Sequence, residues 1–132
     1  MPFVRISLPK FFSQETKDNI SLSVHRALIQ QFNIPENDYL HIIEELETKQ
    51  IKFPETYLEV SHTSDIVFIQ IIAGQGRTVE QKEGLYREIA EMISNSTTIT
   101  KNNIIIVLVE NEGKQNWSFG NGEIQEPKHI NR

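Results

Sequence analysis

Cysteine is absent from this chain of 132 residues. Its absence excludes disulfides, thiolate nucleophiles and zinc–sulfur centres, and it fits a reducing compartment. Long apolar runs are missing too. None approaches the ~18–20 residues that a helix needs to span a bilayer. The opening Met1-Pro2-Phe3-Val4-Arg5 has neither the apolar core nor the small-residue cleavage site of a secretory signal. Positive charge is in short supply: 13 Lys and Arg against 18 Asp and Glu give a formal net charge of −5. With no basic stripe interleaved with aromatics, neither nucleic acid nor an anionic membrane is an expected partner. His25, His41, His62 and His129 fall at no metal-ligand spacing. They read as solvated or core residues, and neither a metal nor a cofactor is expected. What remains is a cytoplasmic protein of single-domain length, with ordinary hydrophobic and charged fractions.

The most informative positive feature is an internal repeat. A shift of 65 positions carries Phe3 onto Phe68 and aligns two halves without a gap, residues 2–46 and 67–111. Phe3-Val4-Arg5-Ile6 falls on Phe68-Ile69-Gln70-Ile71, and Ser13-Gln14-Glu15-Thr16-Lys17 falls on Thr78-Val79-Glu80-Gln81-Lys82. Ile34-Pro35-Glu36-Asn37 falls on Ile99-Thr100-Lys101-Asn102, and Glu45 on Glu110. A continuous register of this kind marks an ancient duplication. Each half reads as strand, helix, strand. Ser13 and Thr78 have the short polar side chains of N-caps, with an acidic residue in the turn that follows. Ile20, Val24, Ala27 and Leu28 form one apolar stripe; Leu85, Ile89, Met92 and Ile93 form its counterpart. Strands are predicted near Pro2–Leu8, Leu40–Leu46, Ile66–Ala73 and Asn103–Val109. Right-handed crossovers make each pair parallel.

This pattern predicts an α/β protein: an α+β sandwich of duplicated β-α-β units, with a four-stranded mixed sheet and two helices on one face. Two helices cover one face only. Yet the runs Ile66–Ile69 and Ile104–Val109 are apolar on both faces, as doubly buried strands are. A cover for the second face is therefore required, and homo-oligomerisation supplies it economically. The alternative cover is the connector, residues 47–66, which carries Pro54 and the polar run Ser61-His62-Thr63-Ser64-Asp65. The tail, 112–132, is polar apart from Trp117, Phe119 and Ile residues and reads as loop or hairpin with a frayed end.

Chemistry is expected first at the terminus. Methionine ahead of a small residue is ordinarily removed, which would leave Pro2 with a free secondary amine. An apolar pocket or a nearby cation lowers the pKa of such an amine, and a carboxylate raises it. Gly74-Gln75-Gly76-Arg77 lacks the third glycine of a dinucleotide fingerprint and any phosphate-loop lysine, so it reads as a tight turn. Glu44, Glu45 and Glu47 read as a solvated strand end, and no Ser/His/Asp arrangement can be assembled by spacing.

Pro2 opening the first strand of a duplicated β-α-β chain of this length resembles the tautomerase superfamily. Further segments look like its malonate semialdehyde decarboxylase-like branch: Ile34-Pro35-Glu36-Asn37-Asp38, Gly76-Arg77-Thr78-Val79-Glu80-Gln81-Lys82, Val107-Leu108-Val109-Glu110-Asn111 and Asn116-Trp117-Ser118-Phe119-Gly120. The resemblance runs from Pro2 to about Gly122. It implies an enzyme without cofactor or metal that acts on a small carboxylate, with Pro2 as acid or base. It also implies that Asp38 tunes the proline, that Arg77 holds the substrate carboxylate, and that the oligomer is a trimer. Trp117 and Phe119 become the apolar wall of the pocket, or an anchor for the tail, or both. One departure bears on the reaction: where the decarboxylase pattern has a second arginine, this chain has Gln75. That favours keto-enol tautomerisation of a 2-oxo acid over decarboxylation or hydration. A non-catalytic oligomer that keeps the fold for binding is the rival of another class.

Overall fold

The computed structural model describes residues 2–125. Met1, His129 and the end of the predicted tail lie outside that range. Strand β1 (Phe3–Pro9) leads to helix α1 (Gln14–Phe32) and strand β2 (Leu40–Leu46). A small hairpin, β3 (Thr56–Tyr57) and β4 (Val60–Ser61), precedes β5 (Val67–Gly74), helix α2 (Val79–Ser96) and β6 (Ile104–Asn111). The four long strands form one sheet in the order β2-β1-β5-β6. Both β1–β2 and β5–β6 are parallel, and the central β1–β5 pair is antiparallel.

The helices start where their caps are. Ser13 Oγ accepts from Thr16 N at 3.1 Å. At the same place in the second half, Thr78 Oγ1 accepts from Gln81 N at 3.1 Å while Gln81 Oε1 accepts from Thr78 N at 2.9 Å, a reciprocal capping box. A second pair of interactions repeats with the same offset: Lys17 bonds Glu45 at 2.5 Å, and Lys82 bonds Glu110 at 2.8 Å. Each ties a helix to the strand that follows it. The Glu45 carboxyl is held below its ordinary value, first by the hydrogen bond from Lys17 and then by that ammonium's charge.

Alternation along the strands divides the sheet into two unlike faces. Val4, Ile6 and Leu8 of β1 and Val67, Ile69 and Ile71 of β5 point under the helices and are buried against Ile20, Val24, Leu28, Leu85, Ile89 and Ile93. The opposite face carries Phe3, Leu40, Ile42, Phe68, Ile72, Ile105, Val107 and Val109, with Arg5, Glu44 and Gln70 among them. On that face Leu40 is 46% exposed and Val107 51%. The hairpin of the connector leans on the turn before β6, where Asn102 Nδ2 donates to Ser61 O and Asn103 Oδ1 accepts from Thr63 N. The hairpin itself escaped the sequence reading, because its strands are two residues each and too short to show alternation. The long strands run Phe3–Pro9, Val67–Gly74 and Ile104–Asn111, each starting one residue later than the apolar pattern suggested.

Candidate active site

Sheet topology collects the predicted residues at one end. The antiparallel centre pairs Phe3 with Ile72, so the start of β1 lies beside the end of β5. Parallel pairing of Phe3 with Leu40 brings the start of β2 to the same end, and that of Gly74 with Asn111 brings the end of β6. Pro2, the Pro35–Asp38 turn, the 75–77 loop and the 112–119 segment therefore lie at the same end of the sheet, along the ends of its four strands. Topology alone brings segments more than a hundred positions apart in sequence to that end.

Each segment is held by its own bonds. Pro2 is buried, at the core-facing parity of Val4 and Ile6. Asp38 closes its turn through Asp38 N donating to Pro35 O at 3.0 Å, and its Oδ2 is shielded from solvent. Gln75 N donates to Asn111 O at 2.7 Å, which extends the β5–β6 ladder by one step and leaves the Gln75 side chain exposed. Gly76 follows at φ 120°, a conformation closed to most L-residues, and swings the chain toward Arg77. On the far side, Asn111 Oδ1 accepts from Gly113 N at 3.1 Å and from Trp117 Nε1 at 3.3 Å. The indole so oriented stacks on Phe119, with ring centroids 5.2 Å apart and planes 14° from parallel. The two rings present a flat apolar surface, part of which remains exposed.

Arg77 does more than line the loop. Its Nη1 donates to Gly74 O at 3.0 Å, its Nη2 donates to Phe32 O at 3.3 Å, and the guanidinium lies 4.7 Å from the centroid of the buried Phe32 ring. Helix α1 has no basic residue in its own last turn, so Arg77 supplies the cation at its negative end. A planar cation fixed in this way is suited to a carboxylate, to which a guanidinium can present a fork.

A cluster that spacing did not reveal lies between α1 and β2, beside the Asp38 turn. His25 Nε2 meets Glu36 O at 2.6 Å, and His41 Nδ1 meets Ser21 Oγ at 2.9 Å. The His25 ring packs 4.9 Å from Tyr39 and 6.1 Å from His41. Burial, and secondarily the nearby His25, lower the pKa of His41 to about 4. Ser21 and His25 share a helical face, and Tyr39 just before β2 and His41 within it are two residues apart, a spacing that metal-ligand rules do not test. Among the described residues no three His, Cys, Asp or Glu side chains gather as a metal site, and no helix is long and apolar enough to cross a membrane.

Comparison with known proteins agrees with the fold. Two family models, both described as tautomerase enzymes, match residues 38–120 and 2–59. The probable tautomerase YusQ of Bacillus subtilis (strain 168) is 36% identical over 125 residues, covering 95% of this chain and 98% of the relative. The crystal structure of FG41 malonate semialdehyde decarboxylase inhibited by 3-bromopropiolate superposes with a TM-score of 0.86 at 28% identity, covering 93% of this chain and 92% of that one. A fused 4-OT solved as a symmetric trimer shares the fold, with a TM-score of 0.76 at 18% identity over 92% of this chain and 94% of that one. By sequence, by sheet order and by the match of nearly its whole length to these relatives, the chain belongs to the tautomerase family.

Proposed function

We propose that this chain is a cofactor-independent keto-enol tautomerase of small 2-oxo acids, with Pro2 as its general base once Met1 has been removed. The observation that supports the reading is that the segments carrying Pro2, Asp38, Arg77 and the Trp117–Phe119 stack share one end of the sheet. In the cycle, neutral Pro2 takes the proton of the enol hydroxyl, and the protonated amine delivers a proton to the adjacent carbon as the carbonyl forms. Arg77 holds the carboxylate, and the exposed Gln75 amide donates to the carbonyl oxygen. Trp117 and Phe119 shield the pocket and favour the neutral amine, while Asp38 favours the protonated one. Positioned proton transfer of this kind contributes roughly 10²–10⁴-fold. The exposed apolar face supports assembly as a trimer, the state of the fused 4-OT neighbour.

Likeness to FG41 malonate semialdehyde decarboxylase supports a second reading, decarboxylation or hydration with protonated Pro2 as acid. The pH profile separates the two. A neutral base loses kcat/KM as pH falls below the amine pKa, and a protonated acid loses it as pH rises above. With phenylpyruvate as substrate, the expected profile is that of the base. Pro2→Ala retains a primary amine and residual turnover, whereas an N-terminal extension abolishes turnover without dissociating the oligomer. Full activity in protein with a retained Met1, verified by intact mass, would refute the proposal.

A further inference from the structure

The turn that presents Asp38 is pinned from outside the site. Helix α1 ends at Phe32, Asn33 reverses the chain at φ 55°, and Ile34 returns to the core. Between Ile34 and β2 the backbone has one internal bond, from Asp38 N to Pro35 O. A restraint from outside the turn is His25, whose Nε2 reaches Glu36 O from α1 at 2.6 Å. A carbonyl only accepts, so this ring carries a proton on Nε2. Its Nδ1 is buried and meets no hydrogen-bond partner, so the ring's polar interaction with the protein is the bond to Glu36. The same ring packs on Tyr39 and, edge to face, on His41, itself tied to Ser21. His25 thus grips the residues two before and one after Asp38.

We propose that His25 is a positioning residue: it fixes the Asp38 turn against the start of β1 and thereby sets the acidity of the prolyl amine. The inference rests on the proposed role of Pro2. The charged and titratable groups on the segments at this end are Glu36, Asp38 and Tyr39 from the turn, Arg77 from the β5–α2 loop, Glu112 and Lys114 after β6, His41 from β2 and His25 from α1. In the proposed mechanism Asp38 is the carboxylate that favours the protonated amine, so loosening its turn moves the acid limb of the kcat/KM profile to lower pH. Small displacements of a catalytic group are costly, and roughly a tenfold loss of kcat is expected with little change in KM.

The test compares His25→Leu, which removes the donor, with His25→Gln, whose amide nitrogen reaches the position of Nε2. With phenylpyruvate, His25→Leu shifts the limb toward that of Asp38→Asn, and His25→Gln restores it. Should His25→Leu fail to fold, His25→Asn, whose shorter amide stops short of Glu36, takes its place. A shifted limb in Asp38→Asn together with a wild-type limb in His25→Leu or His25→Asn overturns the role of His25 alone, as does failure of His25→Gln to restore it. An unmoved limb in Asp38→Asn removes the carboxylate from the mechanism and the His25 role with it.

Discussion

Arg77 serves the fold and, in the proposed mechanism, the substrate, and the two contributions can be measured separately. Its bonds to Phe32 O and Gly74 O are charge-assisted, and its plane covers the Phe32 ring. From the sequence, the residue lies in a loop and the fold is expected to survive its loss. The structure adds that it bonds the C-terminus of α1, so survival should come with a measurable cost. Arg77→Ala is predicted to cost about 1–3 kcal/mol in urea unfolding, the range for hydrogen bonds to a charged group, and to raise KM for phenylpyruvate. Arg77→Lys retains the charge without the fork, so it should recover less of KM than of stability. An unchanged KM in Arg77→Ala would remove the residue from substrate binding. His41 gives a prediction in pH. Its folded pKa of about 4 lies below the ordinary 6.5, so between those values the unfolded chain binds more protons than the folded one. The associated stability is complete above about 6.5 and is lost as pH falls toward about 4. The urea midpoint should fall across that window, and His41→Phe should flatten the slope.

At the scale of elements, the duplicated caps decide where both helices begin, and one is worth more than the other. Ser13 accepts a single backbone bond for α1. At α2 the cap is reciprocal, and Gln81 Nε2 also donates to Gln31 O at 3.2 Å, so the start of α2 is tied to α1. Thr78→Ala is predicted to cost about 1 kcal/mol by urea denaturation, and Gln81→Ala to cost more because it breaks the box and the interhelical bond together. Equal losses in the two variants would show that the contact with Gln31 adds nothing. The capping hydroxyls of Ser13 and Thr78 were legible in the sequence; the reciprocal bond to Gln81 was seen only in the structure. The contact to Gln31 was not legible either, because it spans fifty positions.

For the molecule as a whole, the sheet has one face under helices and one on which Leu40, Ile42, Val107 and Val109 remain exposed. Apolar side chains on that second face, among them Ile42, Val107 and Val109, would lose contact with water in an assembly. Sedimentation at micromolar concentration should show a trimer, and Val107→Glu, which places a charge among the exposed apolar side chains of β6 on that face, should dissociate it while leaving the helical circular dichroism intact. A stable wild-type monomer would end the proposal.

What the sequence determined by itself is what short-range periodicity encodes. Strand and helix patterns, their caps and the 65-residue offset gave the two β-α-β units, and counting faces exposed the need for a cover. The tertiary structure decided the rest because it depends on pairings between distant segments. Only the antiparallel register of β1 with β5 sets Pro2 beside the loop of Arg77. Only packing of α1 against β2 turns His25 and His41 from scattered histidines into a cluster beside Asp38. Hydrophobic alternation fixes which face a residue takes, but the partner strand and the end of the sheet where it emerges are set by the closing of the fold.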